Sequence, residues 1–307
     1  MKACIDIGGT KVAVSLNDGT GLDLVARRSE PTAKTGHSDA LARQVIRMVD
    51  EACAEVGLAP SGVQRAGVAS AGPFVLRAGL VELASPNICG GLAGPARGLP
   101  NDWMTAPLEA PLRARFREVR VENDAVAALE AERRWGALQG CDHCAYVTWS
   151  TGVGTGLCVD GRVLRGKNGN AGHAGHMFVS DNGDALCGCG NIGDLEALVA
   201  GNAIARRFGA DAATLMQRVH DGDPVANATV DELCRVMGRA LYNLTVTLDL
   251  ERISLGGSVF IHNQAVLLPR LRAQMKGKLP ALTDGCQILP AGLGERVGDY
   301  AALALLV

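Results

Sequence analysis

Two histidines, two cysteines and four acids fall within residues 169–196 (GNAGHAGHMFVSDNGDALCGCGNIGDLE), separated by glycines that let the backbone fold tightly. His176, Cys187 and Cys189 offer one imidazole and two thiolates, and Asp194 follows five residues after the second cysteine. Zinc takes four N, S or O donors in a tetrahedron, so His176, Cys187, Cys189 and Asp194 form a candidate zinc set. A Cys-Gly-Cys pair taken alone is equally an ordinary pair of buried or loop thiols. The surrounding glycines and the flanking Glu196 favour the metal.

Two glycine turns suggest a second chemistry. Residues 3–7 form an apolar run broken by Asp6, then Gly8-Gly9-Thr10-Lys11, then the apolar VAVSL. That pattern is strand, tight turn, strand, with an acid near the tip. Glycines there let backbone N–H groups approach a phosphate, and Thr10 adds a hydroxyl donor. No GxxxxGK[ST] occurs in this segment, so it is not a Walker loop. Ser150-Thr151-Gly152-Val153-Gly154-Thr155-Gly156 is a second glycine hairpin after the apolar strand 145–149. Either turn alone is weak; as a pair they can grip a polyphosphate from opposite sides. A third, Gly256-Gly257, joins a strand to a helix start. A nucleotide base or ribose can lie against such glycines, and a plain tight βα turn is the alternative.

Val119-Arg120-Val121-Glu122-Asn123-Asp124 is an alternating strand that runs into the helical AVAALEAERRWGAL. Asp124 falls in the first turn, where the helix dipole favours the carboxylate, and N-capping alone would account for it. Cys141-Asp142-His143-Cys144 reads as a loop before a strand, with no second ligand pair at a matching distance.

These residues need a scaffold of mixed elements. Residues 38–57 carry Leu41, Val45, Met48, Val49, Cys53 and Val56 at three- and four-residue steps, an amphipathic packing helix. Residues 64–70 read as a strand closed by Ala71-Gly72-Pro73, and 103–117 as a helix with Pro107 near its start. Residues 197–208 read as a helix interrupted at Gly201-Asn202, and 230–250 as a long buried helix. Asn87, in a Ser-Pro-Asn loop, is an ordinary turn former on its own.

The 307 residues suffice for two domains, and 48% apolar with 20% charged residues is the composition of a packed globular protein. A net charge of -2 argues against a broad nucleic-acid or anionic-membrane surface. No apolar run reaches the length of a membrane span, and MKACIDIGGT enters a strand directly rather than a secretory signal. Ten scattered cysteines read as reduced thiols, hence a cytoplasmic setting.

In order and spacing these segments resemble the ROK family (repressors, open reading frames and sugar kinases). G-N-A-G-H-A-G-H with C-G-C-G-N-I-G-D-L-E is similar to the family's A-G-E-x-G-H and C-x-C-G-x-x-G-C-x-E. His173 stands where the family has Glu, and Asp194 where it has a third zinc cysteine. The D-I-G-G-T turn looks like the first phosphate segment, the 150–156 hairpin like the second, and GVASAGP like the loop at the cleft mouth. Gly256-Gly257 looks like the adenosine segment, and 293–307 like the closing helix that returns to the first domain.

The resemblance implies an α/β fold with two ribonuclease-H-like lobes of the actin/hexokinase ATPase type and a cleft between them. Residues 1–121, completed by 293–307, would form the small lobe, and 122–292 the large lobe with the zinc loop. It implies an ATP-dependent hexose kinase with Asp124 as the base that takes the sugar hydroxyl proton. Asp6 would hold Mg2+, and Gly8, Gly9, Thr10, Lys11, Thr151, Gly152, Gly154, Gly256 and Gly257 would bind the nucleotide. Asn87, Asn123, Asp124, His173, His176 and Glu196 would bind the sugar, and structural zinc would pin their loop.

A glucokinase-type substrate is the first expectation. N-acetylmannosamine is the alternative, because a neutral His173 can donate to an acyl carbonyl and the kinases for that sugar share A-G-H-x-G-H. A homodimer or homotetramer is the family's habit. A sugar-sensing repressor would need a helix-turn-helix domain ahead of a hairpin that here starts at residue 3. A non-catalytic sugar binder is the remaining alternative, set against the retention of Asp6, Asp124 and all three glycine turns.

Overall fold

The computed structural model describes residues 1–93, 98–181 and 185–307. The chain divides into two compact units, one of residues 1–131, 165–171 and 298–307, the other of residues 132–164 and 172–297. Residues 182–184, inside the His/Cys-rich stretch, lie outside the described residues.

The first unit is built on strands β1 (Lys2–Ile7), β2 (Lys11–Asn17), β3 (Leu24–Pro31), β4 (Arg65–Ser70) and β8 (Glu118–Asn123), in the order β3-β2-β1-β4-β8. The first three pair antiparallel, and β1, β4 and β8 pair parallel. Central strand β1 is buried along most of its length, which explains an apolar run interrupted only at Asp6. The helix Ala40–Glu55 lays Leu41, Val45, Met48, Val49 and Cys53 into the core with Ile5, Val14 and Val68. Val56 lies at its exposed C-cap, so the buried face ends at Cys53, three residues earlier than the sequence periodicity indicates. Gly67 on β4 lies against the carbonyl of Ala302 in the helix Val297–Ala304, where no Cβ would fit. Arg65 Nη2 donates to Leu306 O at 2.9 Å, fastening the end of the chain to the same strand.

A small sheet, β5 (Phe74–Arg77), β6 (Leu80–Leu83) and β7 (Ala106–Pro107), replaces part of the helix expected over 103–117. Only Glu109–Arg115 is helical. Pro107 has no amide to give a helix and pairs beside β6, while buried Trp103 donates its indole N–H to Gly36 O at 3.1 Å.

The second unit repeats the plan. β9 (Cys144–Trp149), β10 (Val153–Val159), β11 (Arg162–Val163), β12 (Arg252–Gly256) and β13 (Gln287–Pro290) lie in the order β11-β10-β9-β12-β13. Again three strands run antiparallel and the last two join in parallel. The long helix is Pro224–Leu248, beginning six residues ahead of the expected 230. Asp223 caps it by accepting from the Val225 and Ala226 amides, and Pro224 takes the first turn, where its missing N–H costs nothing. Leu233, Met237, Leu241 and Leu244 form its buried stripe, packed with Leu267, Leu271 and Ile253. The segment expected as one interrupted helix is Leu195–Val199 followed by Gly201–Phe208, broken at Ala200. The closing segment is a short 3-10 turn, Gly294–Arg296, before Val297–Ala304.

Among the described residues, no helix is long and apolar enough to cross a membrane.

Candidate active site

The carboxyl ends of the three parallel strands in the first unit form one row. Asp6, Ala69 and Glu122 are paired neighbours, and so are Ile7, Ser70 and Asn123 one residue further on. Open α/β sheets bind ligands beyond such strand ends. Asp6 and Asp124 both lie at this edge. Burial, and then the Asp124 carboxylate, push the Asp6 carboxyl up to about 7, opposed by Lys11 and Arg27 and reinforced by Asp299. Asp299 pairs with Arg27 at 3.0 Å, and both line a small cavity with Asp6, Cys4 and Ser15. Asp6 Oδ2 faces Gly298, 3.8 Å from where a Cβ would stand.

Asp124 begins the helix Asp124–Trp135 directly after β8. Capping is shared with its neighbour: Asn123 Oδ1 accepts from Ala125 N at 3.0 Å and Val126 N at 3.4 Å, while Asp124 Oδ1 accepts from Ala125 N at 2.8 Å. Burial lifts the Asp124 carboxyl to about 6, held from rising further by the Ala125 amide and the Asn123 side chain. A carboxylate so placed is ionised at neutral pH yet basic enough to accept a proton.

The first glycine turn closes through Gly8 N donating to Lys11 O at 2.9 Å. Thr32 steadies it from β3's end, donating its hydroxyl to Gly8 O at 2.7 Å and its amide to Thr10 O at 3.1 Å. Asn87, exposed in its turn, lies directly on Gly9: a Cβ there would stand 2.8 Å from the Asn87 Cβ. Thr10 and Lys11 are exposed beside it.

In the second unit, the turn carrying Thr151 and Gly152 joins β9 to β10, with Ser150 N donating to Gly152 O at 2.9 Å. Glu196 supports it from behind, Oε2 accepting from Val153 N at 3.0 Å. Gly154 is the second residue of β10. Gly256 and Gly257 have packing reasons of their own. Gly256 lies against the Tyr146 ring, and Gly257 (φ +85) lies 2.5 Å, from an added Cβ, from the Trp149 carbonyl. That is the tight βα turn read as the alternative.

The spacing in G-H-A-G-H follows from contact with β10. Gly172 and Gly175 lie against the backbone carbonyls of Thr155 and Val153, where side chains would collide. The turn Ala174–His176 is thereby laid on the strand, with half-buried His173 just before it. Burial, and then nearby His176, hold the His173 imidazole below its ordinary value, so it is neutral at pH 7. The two rings lie 6.3 Å apart, centre to centre.

His176, Cys187, Cys189 and Asp194 bring one ligating atom each to within 4.8 Å of all the others. Zinc bonds of about 2.3 Å to sulfur and about 2.0–2.1 Å to nitrogen or oxygen span tetrahedron edges of about 3.3–3.8 Å. His176 Nδ1 lies 3.2 Å from Asp194 Oδ2 and 3.6 Å from Cys187 Sγ, and Cys189 Sγ lies 3.3 Å from Asp194 Oδ2. Asp194 is fully buried. A buried carboxylate between an imidazole and two thiols fits a divalent cation, which would also offset the burial that pushes the Cys187 thiol upward.

Sequence reasoning passed over Thr32, Arg27 and Asp299 as site residues, and their partners are distant in sequence. The Arg165–Glu122 pair at 2.6 Å, which holds a buried carboxylate beside Asn123, was equally out of view.

Residues 2–306 match the ROK family model, and the chain belongs to that family. It is 31% identical to the ROK hexokinase from Thermus thermophilus, whose structure superposes with a TM-score of 0.75 over 98% of this chain and 96% of that one. It is 28% identical to a ROK glucokinase from Streptomyces griseus solved with glucose and AMPPNP, with a TM-score of 0.69 over 98% and 97% of the two chains. Over 83% of this chain and 82% of the relative it is 33% identical to the N-acetylmannosamine kinase of Salmonella typhimurium. The fold is thus the ribonuclease-H-like fold of the actin and hexokinase ATPases.

Proposed function

We propose that this chain is an ATP-dependent sugar kinase that phosphorylates a hexose hydroxyl with Asp124 as general base. The observation that carries the reading is a carboxylate raised to about 6 at a parallel-strand edge, accepting from the Ala125 amide at 2.8 Å and close enough to Asp6 to raise its carboxyl. Phosphoryl transfer asks for positioning, charge neutralisation and a base near the attacking hydroxyl. Asp124 accepts the hydroxyl proton as the sugar oxygen bonds to the γ-phosphorus and the bond to the ADP oxygen breaks. Asn87, Asn123, His173, His176 and Glu196 orient the sugar, His176 through the nitrogen left over from the metal cluster. The amides of Gly8, Gly9, Thr10, Thr151 and Gly152, with Gly154, hold the phosphates, Lys11 adds a cation, and the adenosine lies against the Gly256-Gly257 turn.

Asp6 would hold Mg2+, which would supply charge neutralisation on the phosphates. His176, Cys187, Cys189 and Asp194 fit a structural zinc whose part is to stiffen the sugar-binding loop.

Glucose is the first substrate to try, given the hexokinase and glucokinase neighbours. N-acetylmannosamine is favoured by a specific observation: His173 carries an N–H that can donate to an acyl carbonyl, which an ionised Glu in its place could not. We place the protein in the cytoplasm as a homodimer or homotetramer, to be checked by sedimentation. The test is turnover with ATP and Mg2+ on glucose, mannose and N-acetylmannosamine. Phosphorylation of one of them is expected, and a protein inert toward all three overturns the assignment.

A further inference from the structure

Asp194 divides its two oxygens between two tasks. Oδ2 faces the His176 imidazole and the Cys189 thiol, while Oδ1 accepts from Ala197 N at 2.8 Å and caps the helix Leu195–Val199. Two residues after Asp194, Glu196 accepts the Val153 amide of the second glycine turn. A few residues further, Gly201 N donates to Ser150 O at 2.8 Å and Asn202 N to Thr151 O at 3.4 Å. The Val153 amide and the Ser150 and Thr151 carbonyls are therefore held by the segment that Asp194 starts. A Cβ on Gly152 would stand 2.6 Å from Glu196 Oε2, so turn and carboxylate are in direct contact.

We propose that Asp194 is a positioning residue that couples the metal cluster to the phosphate-gripping turn at residues 150–153. A metal at Oδ2 fixes the carboxylate whose other oxygen begins the helix. The helix start in turn fixes Glu196 against Val153. Metal occupancy thus sets the shape of a turn that the metal itself does not touch. The carboxylate is what makes this possible, because it can bind a cation through one oxygen and cap a helix through the other. A thiolate at 194 would serve the metal but is a poor acceptor for the Ala197 amide. The inference rests on reading residues 150–153 as a phosphate turn.

The test compares wild-type protein loaded with zinc, the same protein stripped by a chelator, and zinc-loaded Asp194→Cys. Amide hydrogen exchange at Val153 and the affinity for AMPPNP with Mg2+, without sugar, are measured on each. Stripping is expected to speed Val153 exchange and to weaken the analogue about tenfold, the loss of one charge-assisted hydrogen bond. Asp194→Cys should retain zinc and still show the faster exchange, while amides of the first glycine turn and mid-strand β9 stay unchanged in all three samples. Unchanged Val153 exchange in both altered samples overturns the proposal. So does a uniform rise across β9 and β10, or a wild-type protein that takes up no zinc. Coupling in a protein that phosphorylates no sugar would sink the kinase reading alone, and a working kinase with an indifferent Val153 would sink only this one.

Discussion

The turns β1–β2 and β9–β10 occupy the same place in a repeated sheet plan, yet they are held in opposite ways. The first carries its acid in front: Asp6 lies in the strand leading into the turn, half-buried and raised to about 7. Its backbone is steadied by Thr32 and overlaid by Asn87. The second has no acid in its leading strand and is braced from behind by Glu196, which comes from a helix start far along the chain. An acid that faces the strand edge is available to a cation, whereas one whose oxygen is taken up by a turn amide supports the turn. The same turn is thus backed by a threonine hydroxyl in one sheet and by a carboxylate in the other.

Asp6→Asn and Glu196→Gln should separate those roles most strongly. The first is expected to lower kcat about 10²–10³-fold at saturating ATP, since it removes the carboxylate proposed to hold Mg2+ against the phosphates. The second should weaken nucleotide and sugar binding about tenfold, with a smaller loss in kcat. Steady-state kinetics at several Mg2+ concentrations checks both, and equal losses in kcat would erase the distinction.

Glycine replacements come next. Gly9→Ala presses on the Cβ of Asn87, close to that residue's backbone, whereas Gly152→Ala presses on the far end of the flexible Glu196 side chain. Gly9→Ala should therefore raise the KM values more, and a larger effect at Gly152 would reverse the ranking of stiffness.

The raised carboxyls at the first turn have a stability consequence of definite sign. Folded Asp6 and Asp124 titrate near 7 and 6, above their ordinary 3.8, so the folded chain holds more protons than the unfolded one between these values. Their contribution is most favourable below about pH 4 and is lost as pH rises to about 7. Asp6→Asn should accordingly raise Tm relative to wild type more at pH 8 than at pH 5. A variant less stable than wild type at pH 8 would show that the carboxylate is better accommodated than its burial indicates. The smallest effect is expected from Thr32→Val, which removes the bond to Gly8 O at a cost of about 1 kcal/mol by thermal denaturation.

What could be read in the sequence was local. D-I-G-G-T and S-T-G-V-G declare strand–turn–strand because glycine punctuates two apolar runs, and Cys-Gly-Cys with a nearby histidine and aspartate declares a ligand set within about twenty residues. The structure brings those four side chains together. The helix expected over 103–117 failed because Pro107 and Trp103 serve a small sheet whose partners lie more than twenty residues upstream. The long helix began earlier than its apolar stripe because Asp223 and Pro224, a polar pair, set its start. Arg27 with Asp299, and Glu196 with Val153, had no signature at all, since each pair is joined by folding rather than by spacing.

The proposed function requires Asp124 to receive the sugar's proton, and one variant tests this most directly. Asp124→Asn keeps shape and hydrogen bonding but cannot take up a proton, and its turnover and sugar affinity can be measured on one preparation. The prediction is a fall of about 10²–10⁴-fold in kcat, the usual worth of a general base, with sugar affinity within about threefold of wild type. Turnover near the wild-type rate would contradict it.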